Sequence, residues 1–149
     1  MLECEVKIKR LKENAKIPRY GTNCAAGADL YACIEEDMVF GPNETKLVPT
    51  GLSFEIPEGY AGLIYARSGL ASKRDLAPAN KVGVVDSDYR GEVMVALHNH
   101  GPIEQKISAN ERIAQFIITP YLKAQYKEVA ELDDDTERKD KGFGSTGLN

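Results

Sequence analysis

Turn-forming residues recur at short intervals along the chain, and this constrains its fold more than any other feature. Gly41-Pro42-Asn43, Pro49-Thr50-Gly51, Pro57-Glu58-Gly59, Gly101-Pro102 and Asn110-Glu111 each interrupt it. Proline fixes φ, glycine and asparagine tolerate positive φ, and such clusters reverse the backbone. The segments between them are β-prone. Leu52, Phe54 and Ile56 alternate with Ser53 and Glu55, and Val6 and Ile8 alternate with Lys7 and Lys9, the two-residue period of a half-buried strand. The runs Val93–Leu97 and Ile113–Ile118 are more uniformly apolar and are expected to be more deeply buried. Many short strands with frequent turns predict an all-β sandwich or barrel. One short helix is expected at about Leu70–Leu76, with Ser68 or Gly69 at its N-terminal end.

A chain of 149 residues with 42% hydrophobic residues is one domain able to bury a core without staples. A net charge of −4 argues against a partner held along a nucleic-acid backbone. It leaves room for a single nucleotide, which needs only a local cluster of donors. The charged start, Met1 to Lys7, has no apolar core of a signal peptide, and no run is long enough for a membrane span. Cys4, Cys24 and Cys33 have no CxxC spacing and read as free thiols in a reducing cytoplasm. His98 and His100 would share a strand face as a zinc pair, but no further ligand stands at suitable spacing, so hydrogen-bonded histidines are the expected reading. From Leu132 to Lys141 the sequence is almost wholly polar, followed by Gly142-Phe143-Gly144-Ser145-Thr146-Gly147. The expected organisation is a barrel over residues 1–132 and a flexible C-terminal arm over 133–149.

Five clusters carry potential chemistry. Ala26-Gly27-Ala28-Asp29-Leu30 is a small-residue turn ending in a carboxylate, by itself an ordinary turn. Ala66-Arg67-Ser68-Gly69-Leu70-Ala71 places a guanidinium, a hydroxyl and a glycine where a helix begins. Backbone N–H groups there bind anions and arginine suits phosphate oxygens. The same residues serve equally as a helix cap with an incidental arginine. In Asn80 to Glu92 the apolar run Val82–Val85 ends at Asp86, and Tyr89 follows a turn-like Ser87-Asp88. This reads as a β-hairpin with a carboxylate at the mouth of one strand, a position suited to a general base, although a lone aspartate there is usually a turn residue. Asn110 to Gln115 opens a buried strand that carries an amide. Arg138 with Gly142–Gly147 puts a cation, an aromatic ring and two hydroxyls on the arm.

Taken in this order, the five clusters resemble the five motifs of the homotrimeric dUTPase family, from Ala26 to Gly147. The most specific stretch is Gly83-Val84-Val85-Asp86-Ser87-Asp88-Tyr89-Arg90-Gly91, and Asn80, six residues before Asp86, is similar to the bacterial branch. The resemblance implies a distorted jelly-roll β-barrel, assembled as a threefold trimer with active sites between subunits. It implies hydrolysis of dUTP to dUMP and pyrophosphate, which limits uracil incorporation into DNA and supplies dUMP for thymidylate synthesis.

The resemblance also implies roles. Asp86 orients and deprotonates the water that attacks the α-phosphorus. Tyr89 packs under the deoxyribose and leaves no room for a 2′-hydroxyl. The main chain of Val84 and Val85, with Asn80 and the backbone near Met94, reads uracil in a slot too narrow for a 5-methyl group. Arg67, Ser68, Gly69 and Gln115 hold phosphates. On the arm, Phe143 stacks on uracil, while Arg138, Gly144, Ser145 and Thr146 cover the β- and γ-phosphates. Mg2+ is expected to be held mainly by the triphosphate and water, with Asp29 either near its hydration shell or pairing with a motif arginine.

The chain departs from the family where Asn110 replaces a common turn glycine and where Lys139 and Lys141 stand in the arm. Asparagine tolerates positive φ, so little change is expected at the first. The added cations bear on the kinetics of arm closure. A dCTP deaminase shares the fold but needs a general acid/base beside the pyrimidine amine, and no such signature is identified. A nucleotide sensor without turnover would have little use for Asp86 and the complete arm, and a purely structural β-sandwich leaves all five clusters unused.

Overall fold

In the computed structural model, residues 3–137, 139, 140 and 142 are described. Strands β1 (Lys7–Arg10), β2 (Arg19–Tyr20), β3 (Ala28–Tyr31), β4 (Met38–Phe40), β5 (Thr45–Pro49), β6 (Leu52–Glu55) and β7 (Tyr60–Tyr65) precede helix α1 (Ser68–Arg74). Strands β8 (Leu76–Pro78), β9 (Gly83–Val85), β10 (Met94–Asn99), β11 (Gln105–Ile107) and β12 (Arg112–Pro120) follow it. The largest sheet runs β2-β3-β12-β7-β9, a second runs β5-β10-β8, and β1-β6 and β11-β4 form two-stranded pairs. The fold is a distorted jelly-roll barrel with one short helix among the described residues: the all-β architecture follows the turn spacing, and the jelly roll is the form the family resemblance implies.

The sheets enclose one apolar core in which Phe40, Leu30, Leu52, Leu76, Leu97, Ile107 and Ile113 are essentially inaccessible to water. Along β10 burial alternates: Val95, Leu97 and Asn99 point inward, while Met94 is exposed. The apolar run there is thus less deeply buried than its composition suggests, because only one face of the strand meets the core. In β12, Ile113 and Ala114 are both buried. A register irregularity between Arg112 and Ala114 opposite β3 inserts an extra residue and breaks the strict alternation, as bulges do. In β6, Ser53 is buried beside Leu52 and Phe54, its hydroxyl satisfied by donating to the Arg90 carbonyl at 2.6 Å.

The turn chemistry acts as read. Asn43 and Asn110 adopt φ of 58° and 64°, and Gly51 and Gly59 adopt 68° and 85°. The helix spans Ser68–Arg74 and not Leu70–Leu76. Its N-cap is Arg67 in extended conformation, and Asp75 ends it in the left-handed region at φ 54°, ψ 22°. Leu76 is released into β8, where it lies opposite Asn99. The β-hairpin expected around Asp86 is absent as well. Strand β9 pairs with β7, whereas β10 pairs with β5 and β8, so residues 86–93 cross from one sheet to another. Cys33 is buried, Cys4 and Cys24 are exposed, and all three are free thiols. Burial pushes the Cys33 thiol pKa up.

The crossing is anchored at a tight corner. Thr50 Oγ1 donates to the Val93 carbonyl at 2.6 Å, the Val93 N–H donates to the Leu52 carbonyl at 2.8 Å, and the Gly51 N–H donates to Glu92 Oε1 at 2.8 Å. At Gly51 a Cβ would fall 2.7 Å from Cys33 Sγ and 2.8 Å from the Ala15 Cβ. Gly51→Ala therefore combines positive-φ strain with overpacking, and the expected loss is about 2–4 kcal/mol. Urea unfolding of the two proteins measures it; a loss below about 1 kcal/mol would show that this corner repacks.

Candidate active site

Strand β9 is the outer edge of its sheet. One side of it is hydrogen-bonded to β7 and the other is not, so its main chain offers donors and acceptors to a ligand. The strand is fed by a turn at Lys81, which adopts φ of 65°, where the Lys81 N–H donates to the Pro78 carbonyl at 3.1 Å. Beside this edge opens a cleft of about 360 Å³, and among its lining residues are Asn80, Val84, Val85, Asp86, Tyr89 and Met94. The structure thus gathers these six predicted residues at one place. It adds Leu47, Ile64, Glu92 and Val93 to the lining, residues that the sequence did not mark because they come from strands without a polar cluster or from the end of the crossing.

Asp86 stands at the end of β9 with its side chain exposed. A turn follows, closed by the Tyr89 N–H donating to the Asp86 carbonyl at 3.2 Å. Asp86 also lines a larger, strongly charged groove of about 770 Å³ with Lys7, Glu55, Arg90 and Lys123, so it occupies the ridge between two depressions. The Tyr89 hydroxyl donates to the Glu92 carbonyl at 2.9 Å, which holds the ring back along its own loop.

A second group forms where β3, β7 and β12 adjoin. Gln115 lies opposite Asp29 on one side and Tyr65 on the other, and the bulge carries Arg112 into reach. Asp29 is 8% exposed and accepts from Arg67 Nε at 2.8 Å and from Arg112 Nη1 at 3.3 Å. A nearly buried carboxylate requires such partners. Of the two expectations for Asp29, pairing with an arginine is the contact present. Nothing in the sequence marks Arg112 for a role, although it heads a buried strand right after the Asn110 turn. Gln115 packs on Gly27, where a Cβ would lie 3.0 Å from Gln115 Oε1.

The helix bearing Ser68 and Gly69 is tied down at its far end. Arg74 Nε donates to Gln105 Oε1 at 3.2 Å, and its terminal nitrogens bind the Glu111 carboxylate and the Lys106 carbonyl. A Cβ on Gly69 would meet nothing within 4 Å, so this turn is open to approach.

Arg67, Ser68, Gly69 and Gln115 are not among the residues lining the Asn80–Met94 cleft, although Gln115 pairs with Tyr65 and Gly83 with the adjacent Ile64 across β7. Arg138, Phe143, Gly144, Ser145 and Thr146 lie outside the described residues. His98 Nδ1 is 2.8 Å from Thr45 Oγ1, and the His98 and His100 rings meet edge-on with centroids 4.4 Å apart. Burial and the neighbouring His98 lower the His100 pKa. Among the described residues no three His, Cys, Asp or Glu side chains cluster closely enough to hold a metal ion. Nor is any helix among them long and apolar enough to cross a membrane.

A model of the family described as dUTPase matches residues 13–147. The deoxyuridine 5′-triphosphate nucleotidohydrolase of Nautilia profundicola is 50% identical over 96% of this chain and 99% of its own. The enzyme of the same name from Hydrogenobaculum is 46% identical over 95% and 96%. Among solved structures, a Staphylococcus bacteriophage 80alpha dUTPase with dUPNHPP superposes with a TM-score of 0.87 at 30% identity, covering 97% of this chain and 99% of that one. A mutant dUTPase from phage phi11, whose structure concerns coordination of a structural Mg(II) ion, gives a TM-score of 0.77 at 25% identity over 86% and 98%.

Asp29→Ala leaves two guanidinium groups without their shared counterion. The Arg112 side chain is 53% exposed, so water recovers part of the loss. The expected cost is about 2–3 kcal/mol, below the ~3–5 kcal/mol of a fully buried pair. Chemical denaturation at low salt reads this directly, and a change under about 0.5 kcal/mol would assign the pairing no stabilising role.

Proposed function

This chain belongs to the dUTPase family and hydrolyses dUTP to dUMP; from that premise we propose that Asp86 is the general base of the reaction and that its substrate lies in the cleft along β9. The observation that carries this reading is the meeting of an exposed carboxylate, a free strand edge and an aromatic ring in one cleft. Hydrolysis of the α,β-phosphoanhydride needs a water held in line, neutralised charge and a retained leaving group. Asp86 takes the water's proton as its oxygen attacks the α-phosphorus, and pyrophosphate leaves.

Uracil lies against the β9 edge, read by the main chain of Val84 and Val85, by Asn80 and by the backbone near Met94. Directional groups in a narrow slot reject a base that leaves them unpaired. Tyr89 packs under the deoxyribose. Arg67, Ser68, Gly69 and Gln115 bind phosphate oxygens, with Arg67 oriented by Asp29 through its Nε bond. Both carboxylate oxygens of Asp29 already accept from arginine, which suits a place outside direct metal coordination. Mg2+ would arrive on the triphosphate and keep water as its other ligands, and its charge would offset that of the phosphate oxygens.

The chain divides into a barrel, 1–132, and an arm, 133–149, whose Arg138, Phe143, Gly144, Ser145 and Thr146 close over base and phosphates. The working unit is a homotrimer with shared sites. Two observations support this: Arg67, Ser68, Gly69 and Gln115 do not line the β9 cleft of their own chain, and beyond β12 Leu122 and Tyr126 are 98% and 97% exposed. Large apolar side chains exposed in a segment outside any strand or helix call for a neighbouring surface. Free thiols at Cys4, Cys24 and Cys33 fit a cytoplasmic setting.

With Mg2+, the purified protein should release pyrophosphate from dUTP in strong preference to dTTP, dCTP and UTP. Ammonia from dCTP, or tight dUTP binding without turnover, would overturn the assignment. Asp86→Asn should still bind dUTP and lose about 10²–10⁴-fold in turnover. A loss below about tenfold would remove Asp86 from this role.

Shared sites have their own test. Asp86→Asn and a truncation ending before Arg138 should each be nearly inactive. Refolded together, they form mixed trimers in which some sites combine an intact Asp86 with an intact arm, and a substantial fraction of activity should return. Mixed trimers without recovery would place cleft and arm function within one chain.

A further inference from the structure

The Tyr89 ring is not held by its own rotamer alone. A Cβ on Gly91 would fall 2.4 Å from the Tyr89 hydroxyl oxygen, 2.6 Å from Cζ and 3.0 Å from Cε2. The hydroxyl end of the ring therefore occupies the space that a side chain at Gly91 would need. The hydroxyl completes the seat by donating to the Glu92 carbonyl at 2.9 Å. The seat itself is fixed from below: Ser53 Oγ donates to the Arg90 carbonyl at 2.6 Å, and Glu92 Oε1 accepts from the Gly51 N–H at 2.8 Å. Two anchors from the β5–β6 corner thus bracket Gly91, so its backbone has little freedom to retreat.

Gly91 is not among the residues with positive φ. Its lack of a side chain is needed for space and not for an unusual backbone. An added methyl group would displace the mobile partner, the far end of the Tyr89 side chain, and leave the backbone in place. We propose that Gly91 is a specificity-determining residue: by leaving room for the hydroxyl end of the Tyr89 ring, it sets the depth of the sugar pocket and hence the exclusion of a 2′-hydroxyl. Gly91 touches no reacting atom; it is a positioning residue that acts through the ring. The proposal rests on Tyr89 packing under the deoxyribose. A ring pushed off this seat would no longer define the same wall, and a ribonucleotide and a deoxyribonucleotide would be admitted more nearly alike.

The experiment compares kcat/KM for dUTP and UTP in the wild-type protein, Gly91→Ala, Tyr89→Ala and the double variant, each with thermal unfolding to establish that it is folded. Steric rejection of a single added hydroxyl is of order 10²-fold, so Gly91→Ala should reduce the dUTP:UTP ratio by about tenfold or more. In the Tyr89→Ala background the same substitution should change the ratio by less than about twofold, because residues that act through one another are not additive. Discrimination intact in Gly91→Ala but lost in Tyr89→Ala would overturn the Gly91 proposal alone. Discrimination intact in Tyr89→Ala would instead remove the reading on which it rests. Full additivity in the double variant would mean that Gly91 acts independently of the ring and would also overturn it. Should Gly91→Ala not fold, Tyr89→Phe removes the hydroxyl anchor and keeps the ring. A several-fold fall in the ratio is then expected, and an unchanged ratio would show that the seat does not set discrimination.

Discussion

The pairing of β12 on both of its edges is the constraint on which the other elements depend. Arg112–Pro120 is the longest strand; it is antiparallel to β3 on one side and to β7 on the other. Through β3 it brings Asp29 beside Gln115, and its bulge adds Arg112 to the same carboxylate. Through β7 it fixes the partner of β9, whose free edge forms the cleft. The two groups assigned to phosphate and base are thus placed by one strand's hydrogen-bond ladder. Phe116, packed on Phe54 with centroids 5.0 Å apart, joins that ladder to the core.

Local chemistry was legible and long-range pairing was not. The positive φ of Asn43, Gly51, Gly59 and Asn110 follows from residue type alone. The alternation in β1 follows from period. The supposed hairpin at Asp86 failed because nothing in Gly83–Glu92 reveals that β9 pairs with β7 and not with β10. Both strands carry apolar runs, and partner choice is settled by the closure of the whole barrel. Likewise Ser53 reads as a solvent-facing residue of a half-buried strand, but the crossing loop covers it and its hydroxyl serves that loop. The helix ends two residues earlier than expected because Asp75 takes a left-handed conformation, which aspartate visits only occasionally and the sequence does not signal.

The residues around Asp86, Tyr89 and Arg67 were recognisable because their motifs keep chemistry-bearing side chains in a short contiguous stretch. Their supports were not. Arg112, Glu92, Ser53 and Gly91 act across 83, 41 and 37 residues of sequence or through a neighbour's ring. Each stabilises a position whose purpose appears only when the elements assemble. Asp29 illustrates the electrostatic side. Arg67 and Arg112 repel one another where they meet, and the nearly buried carboxylate that pairs with both relieves that repulsion.

The brevity of β9 has a consequence for solubility. Three residues, Gly83–Val85, span about 10 Å. Such an edge presents enough polar main-chain groups to meet one heteroaromatic ring, and too few to template a foreign strand. It is bounded by a left-handed turn at Lys81 and by the charge of Asp86, both of which discourage extension of the ladder. The same geometry that leaves this backbone edge unpaired therefore also limits intermolecular sheet growth, and selection for a longer, stickier edge would be opposed by aggregation.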